Sequence, residues 1–329
     1  MNSINQELNS SNEHEVASAL FGLGFLKGPG ECKCKSKRFT IQKDSNNKVS
    51  GVCFRCVNYA CRLKYPIRIK SFYSKFTFIS LEIVTEVIKC CLSLNFNVAK
   101  AFEYMKNEKK KKVSIKQISN IYKEIRNVIY EYYFRLYQNE KLGEINARGF
   151  YPVDESLFGH RKGKQVWILG AIDNTNRDFR LKASYQRDGA ILGKFIRMNI
   201  EEGNHIITDS WLGYNFMNQP YSGYIHISHN HSNGIFWLGT ESTSHIEGLW
   251  SILKGKIKSI YYVIPTKNII HFIPEAEFKF KNREKNYIDI LKEFFSCYDY
   301  IENVEANQFS PSQFLKDESD SSSSSEESV

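Results

Sequence analysis

No stretch of this chain approaches the roughly 18 consecutive apolar residues that a membrane-spanning helix requires. The short apolar run near its start, Val16 to Leu26, follows acidic residues rather than the basic ones of a secretory signal. Neither a membrane span nor an export signal is therefore expected. Without export, disulfides are disfavoured, so the eight cysteines point to metal binding instead. Five of them, Cys32, Cys34, Cys53, Cys56 and Cys61, crowd one short window, while Cys90 and Cys91 sit on an apolar, helix-like run. Basic residues are missing from the segment Asp317 to Val329, which carries five acids. The formal charge of +9 thus becomes +14 (9 plus 5) for the remainder, an excess that suits a polyanionic partner such as nucleic acid.

What is present is enough to fold. A chain of 329 residues, 42% hydrophobic and 14% aromatic, can bury a core of one catalytic-sized domain plus smaller modules. Residues 1–30 open polar and end in Lys27-Gly-Pro-Gly30, and read as a flexible lead-in. Residues 31–79 hold the cysteine cluster, with strand-like alternation at Arg38 to Gln42 and Val52 to Arg55; so small a module needs a metal staple. Over 80–148 the apolar residues recur at helical spacing, as Leu81, Val84, Val87, Ile88, then Val98, Phe102, Met105, then Ile115, Ile118, Ile121, Ile125, Ile129. Three helices are expected, the third opened by Ser114 as N-cap. That region fits a helix-turn-helix and, equally, a connecting bundle.

From 149 to 290 the pattern becomes short strands: Phe150 to Asp154, Val166 to Ile172, Phe179 to Ser184, His205 to Thr208 and Tyr224 to Ser228. Helices are expected at Gly189 to Met198 and Ser244 to Ile260. A last helical run, Phe272 to Arg283, should be started or broken by Pro274. The order, β-β-β-α-β-α-β-α, implies an α/β sheet whose first three strands form a meander. Residues 291–329 read as a C-terminal extension, too polar to fold beyond about Gln308.

Asp154 and Asp209 each stand where an apolar strand gives way to polar residues, and Glu247 lies in the first turn of a helix whose buried side is Leu249, Trp250 and Leu253. If the first and fourth strands are neighbours, the two aspartates emerge side by side, with Glu247 opposite. Hard oxygen ligands of this kind suit Mg²⁺ or Mn²⁺. Singly, each acid also has a plain reading as a turn former or a helix-terminal charge.

The words around the acids carry more. Val-Asp-Glu-Ser-Leu-Phe-Gly-His-Arg-Lys (Val153 to Lys162), Trp167 to Asp173, Ile206-Ile-Thr-Asp-Ser-Trp-Leu-Gly-Tyr214, His245-Ile-Glu-Gly-Leu-Trp-Ser-Ile-Leu-Lys254 and Glu277 to Arg283 resemble the motifs of the Merlin superfamily of eukaryotic transposons and its bacterial ISXO-like insertion-sequence relatives. The resemblance implies a ribonuclease-H-like domain in which Asp154, Asp209 and Glu247 are catalytic and hold two Mg²⁺ or Mn²⁺ ions. It implies a DNA transposase that binds transposon ends, cuts and rejoins strands, works as a homo-oligomer on double-stranded DNA and resides in the nucleus. Ser242-Thr243-Ser244 stands where the family carries His-Thr-Asn. His229 and His231, flanking Asn230, rank below the carboxylates as groups for the scissile phosphate; Trp211, Tyr214 and Trp250 read as core.

A structural zinc site needs two close cysteine pairs. Cys32 with Cys34 is the first. The second is Cys56 with Cys61, as the family's ribbon implies, or Cys53 with Cys56, which has the tidier gap. Arg62, Lys64, Arg68, Lys70 and the run Lys109, Lys110, Lys111, Lys112 are the expected phosphate contacts. Two other classes fit the same residues. One is a transposase-derived DNA-binding protein with vestigial catalysis, and the other is a ribonuclease or junction resolvase sharing the metal chemistry.

Overall fold

The computed structural model describes residues 7, 8, 10, 12–47, 49–219, 221–229, 242–261 and 269–305. His231 and Asn230 lie outside these, as does the acidic serine tail.

The segment expected as a flexible lead-in is instead a folded helix, α1 (Glu13–Gly22). The Asn12 side chain accepts from the His14 N–H, and Glu13 and Glu15 favour the positive end of the helix. Its inner side, Val16, Ala17, Ala19 and Leu20, is buried. Glu13 also reaches across the chain, its carboxylate accepting the Leu81 and Glu82 backbone N–H groups at 3.1 Å each. One acid thus satisfies two orphan donors at the start of another helix.

Next comes a three-stranded antiparallel sheet of β1 (Phe39–Lys43), β2 (Val52–Cys56) and β3 (Lys64–Pro66), in that order. It is too small to bury its own face, and Phe54 of β2 is fully buried in a core shared with α1 and the helices that follow. Those helices are α2 (Leu81–Leu92), α3 (Val98–Asn107) and α4 (Ile115–Asn139). Ser114 and Gln117 form a reciprocal capping box at the start of α4. The stripe Ile118, Ile121, Ile125, Val128 and Ile129 turns inward along it.

A helix at 287–305, most of which falls in the stretch expected as a C-terminal extension from residue 291, closes this core. Helix α8 (Tyr287–Glu305) repeats apolar residues at helical spacing and buries Leu291, Phe294 and Phe295 beside Phe72 and Tyr73. Phe25 stacks on Phe295 with ring centroids 4.1 Å apart.

Between α4 and α8 lies a five-stranded mixed sheet ordered β6-β5-β4-β7-β8. Strands β4 (Phe150–Arg161), β5 (Lys164–Ile172) and β6 (Phe179–Ser184) form the expected antiparallel meander, and β7 (His205–Asp209) and β8 (Ile225–His229) run parallel to β4. The β4–β5 hairpin turns on Lys162 and Gly163, both with positive φ, as a two-residue loop of this twist demands. One face packs on α5 (Gly189–Asn199) through Val153, Leu169, Leu192, Phe195 and Ile206. The other packs on α6 (Ser244–Tyr261) and α7 (Ile269–Lys281) through Ile168, Ile172, Ile246, Leu249, Leu253 and Ile273. Two expectations are corrected. The link between β7 and β8 is a 3-10 stretch, Leu212–Asn218, rather than an α-helix. Helix α7 runs through Pro274 instead of stopping there; burial of Ile269, Phe272, Ile273 and Phe278 around it outweighs one lost backbone bond.

Candidate active site and cysteine cluster

Strands β4 and β7 pair at Phe150↔His205, Tyr151↔Ile206 and Pro152↔Ile207, an offset of 55 residues. Carried two residues onward, that offset sets Asp154 level with Asp209. The next strand continues the row, because Asp209 pairs with His229 on β8. Asp154, Asp209 and His229 therefore stand abreast on three parallel strands; β7 and β8 end at this level, where open α/β sheets place their ligand crevices, while β4, expected to end at Asp154, runs on to Arg161.

Alternation along β4 sends Asp154 to the α6 face and Glu155 to the α5 face. On the α6 face, the Trp250 indole N–H donates to Asp154 Oδ2 at 2.8 Å. The ring reaches it by lying over Gly170, the β5 partner of Asp154; a Cβ there would come within 2.5 Å of the indole. Trp250 is buried core, as expected, with a polar handle that its sequence position alone did not reveal. Asp209 Oδ1 accepts the Trp211 backbone N–H at 3.0 Å. Glu247, exposed in the first turn of α6, accepts from the Thr243 hydroxyl at 3.0 Å. The start of α6 is pinned to the β5–β6 turn, where Asn174 contacts His245 Nδ1 at 2.9 Å and donates to the Ser242 carbonyl at 3.1 Å.

These acids feel one another. Burial pushes the Asp154 carboxyl above the ordinary carboxylate range, and the charges of Asp209 and Glu247 add to the shift against the Trp250 and Glu155 N–H groups. A carboxylate made costlier to ionise by burial and by neighbouring negative charge is what a divalent cation relieves. All three carboxylates fit Mg²⁺ or Mn²⁺ in donor chemistry.

On the opposite face, sequence reading missed a cluster. The Glu155 carboxylate accepts from Tyr214 OH at 2.7 Å and from Arg187 at 3.1 Å. The Arg187 guanidinium lies between the rings of Trp167 and Trp211, 4.1 and 4.5 Å from their centroids. Tyr214 is buried core as expected, while Trp211 is this half-exposed platform. No spacing signal links residues 155, 167, 187 and 211; the sheet brings them together.

In the small sheet, the sulfurs of Cys32, Cys34, Cys56 and Cys61 all lie within 4.8 Å of one another. Two turns present them. Lys35 takes a positive φ after the first pair, and Arg62 takes one after the second. Cys53 lies outside the cluster, three residues before Cys56 on β2 and hence on the other side of the strand. Tyr65 OH donates to Cys32 Sγ at 3.2 Å and holds that thiol down at about 6, toward the thiolate that binds metal. Four thiolates so placed fit tetrahedral zinc and leave no position for water.

The expected phosphate contacts divide. Arg68 is corrected: it is buried, 6% exposed, and its guanidinium donates to Ser50 Oγ and to the Phe76 and Ile79 carbonyls. It ties the ribbon to the first helices and offers nothing to solvent. Lys64 pairs with Asp44, Lys109 with Glu86 and Lys111 with Glu82. Arg62, Lys70, Lys110 and Lys112 are exposed, and Arg62 lies over the exposed Tyr59 ring.

Residues 152–281 match the family model of the ISXO2-like transposase domain. That span contains all three carboxylates, and the match supports a DDE-type, DNA-processing transposase function for this part of the chain. No curated protein matches significantly. Among solved structures, the magnesium-bound integrase catalytic core domain of HTLV-2 in its trimeric form is 12% identical, with a TM-score of 0.28, covering 45% of this chain and 90% of that one. The intasome of simian T-cell lymphotropic virus is 13% identical, with a TM-score of 0.31, covering 61% and 69%.

Proposed function

We propose that this chain is a metal-dependent DNA transposase of the Merlin type with a ribonuclease-H-like catalytic domain, acting on double-stranded DNA at transposon ends and at a target. The observation that carries the reading is the row of Asp154 and Asp209 on neighbouring parallel strands, electrostatically coupled to Glu247 on the helix above, inside the matched transposase span.

Asp154, Asp209 and Glu247 would hold two Mg²⁺ or Mn²⁺ ions. When bound, such ions activate the attacking oxygen and stabilise the leaving one in phosphodiester cleavage and strand transfer. The chain's own part is positional. Trp250 fixes the rotamer of Asp154 by its N–H, the Trp211 amide fixes Asp209, and Thr243 orients Glu247. Cys32, Cys34, Cys56 and Cys61 would hold a structural zinc, and Arg62, Lys70, Lys110 and Lys112 supply charge for the DNA backbone. Action as a homo-oligomer on DNA, in the nucleus, belongs to this reading.

The test is cleavage of a duplex carrying the element's terminal sequence in Mg²⁺ or Mn²⁺. Asp154→Asn, Asp209→Asn and Glu247→Gln should each abolish cleavage and leave end binding intact. Cleavage surviving in Asp154→Asn would overturn the assignment. End binding by the wild-type chain without any cleavage would favour the vestigial, DNA-binding reading.

A further inference from the structure

The two aspartates face each other across the weakest seam of the sheet. Backbone pairing between β4 and β7 stops at Pro152↔Ile207, two residues short of the acids. On either side the ladders run on: Asp154 pairs with Gly170 of β5, and Asp209 pairs with His229 of β8. At the level of the carboxylates, then, no main-chain pairing sets the distance between the strands that carry them.

A side-chain bridge spans that seam from beneath. Glu155, next to Asp154, accepts from Arg187 at 3.1 Å. Arg187 Cζ lies over the Trp211 ring, 4.5 Å from its centroid, and the Trp211 amide binds Asp209. Its other side lies against Trp167 of β5, and a second strap runs from Glu155 to Tyr214, just past Trp211. We propose that Arg187 is a positioning residue for the metal site, a planar cation that fixes the Asp154–Asp209 separation by joining β4, β5 and the end of β7. This role rests on the functional reading above. Two-metal chemistry tolerates ligand displacements of only about 0.5 Å, so a seam whose backbone pairing stops short of the acids needs such a brace. Arg187 stands on the α5 face, opposite the carboxylates, and so acts through Glu155 and Trp211 rather than on the substrate. A guanidinium suits the place because it stacks on two rings while donating in its plane, which an ammonium cannot do.

The experiment measures Mn²⁺ dependence of end cleavage, affinity for the same duplex without metal, and Mn²⁺ binding to the free chain by calorimetry. For Arg187→Gln, the Mn²⁺ concentration giving half-maximal cleavage should rise about tenfold, with duplex affinity unchanged. Arg187→Lys, the milder change for folding, should share the defect, because charge without the flat stack does not brace the seam. Three results would overturn the role: unshifted metal dependence in Arg187→Gln, a loss confined to duplex affinity, or full recovery in Arg187→Lys. Failure of the functional reading looks different, because the wild-type chain itself would then show no Mn²⁺-dependent cleavage.

Discussion

The Trp250 indole N–H donates to Asp154 Oδ2 at 2.8 Å, and it can do so only because the β5 partner of Asp154 is a glycine. A hydrogen bond to a charged group contributes roughly 1.5–3 kcal/mol. Trp250→Phe keeps most of the packing and removes the donor. It should lower metal-dependent cleavage by about tenfold to a hundredfold, and lower the melting temperature as well, because a buried acceptor loses its donor. Gly170→Ala should do the reverse damage first: its new methyl meets the indole, and overpacking of this kind costs about 1–3 kcal/mol, read as a lowered melting temperature.

The cysteine cluster makes a stoichiometric prediction. Purified chain should carry about one zinc by elemental analysis. Cys61→Ser and Cys56→Ser should lose it and unfold at lower temperature, because metal binding in so small a module is coupled to its folding. Cys53→Ser, outside the cluster, should keep full zinc content. Loss of zinc in Cys53→Ser would reassign the second pair.

Glu275 on α7 is buried between Arg126 of α4, at 2.6 Å, and Lys279, at 2.6 Å. Burial alone would raise its carboxyl, but Lys279 and Arg126 outweigh it and hold the group at about 2. A depressed carboxylate contributes stability that is full above its unfolded value and fades as pH falls toward the folded one. Glu275→Gln, which removes the carboxylate facing buried Lys279 and half-buried Arg126, should destabilise the chain by about 3–5 kcal/mol at neutral pH. In urea titrations the gap to wild type should narrow between the ordinary 4.5 and about 2. A gap constant across that range would contradict the assignment.

Arg62 and Arg68 lie six positions apart in one basic stretch and should respond oppositely. Arg68→Met removes donors from Ser50 and two buried carbonyls, so it should lower the melting temperature. Arg62→Ala, and the exposed Lys110→Ala and Lys112→Ala, should leave stability unchanged. Each should reduce the salt dependence of DNA binding by about 0.9 in log–log slope if it meets a phosphate.

Much of the fold was legible because its signals are local. The five strands of the main sheet, the helices at 81–139 and the Ser114 cap follow from periodicity and capping within a few residues. The boundaries failed where packing partners lie far away. Helix α1 buries Val16, Ala17, Ala19 and Leu20 in a core shared with β2 and α2, and α8, whose apolar spacing shows a helix but not its partner, returns to that same core from far along the chain. Arg68 reads as a phosphate contact until Ser50, Phe76 and Ile79 surround it.

The sequence by itself determined the candidate carboxylates, the helix under Glu247 and the set of candidate cysteines, since these depend on residue type and short-range spacing. Tertiary structure decided the rest. The separation of 55 residues between Asp154 and Asp209 is visible in the sequence, but only the parallel register of β4 and β7 makes it equal to one level across the sheet. Likewise, only the assembled sheet puts Trp250 over Gly170 and Arg187 between Trp167 and Trp211. Such contacts join residues 20 to 96 positions apart, and they form through the packing of two sheet faces rather than through any preference the chain expresses locally.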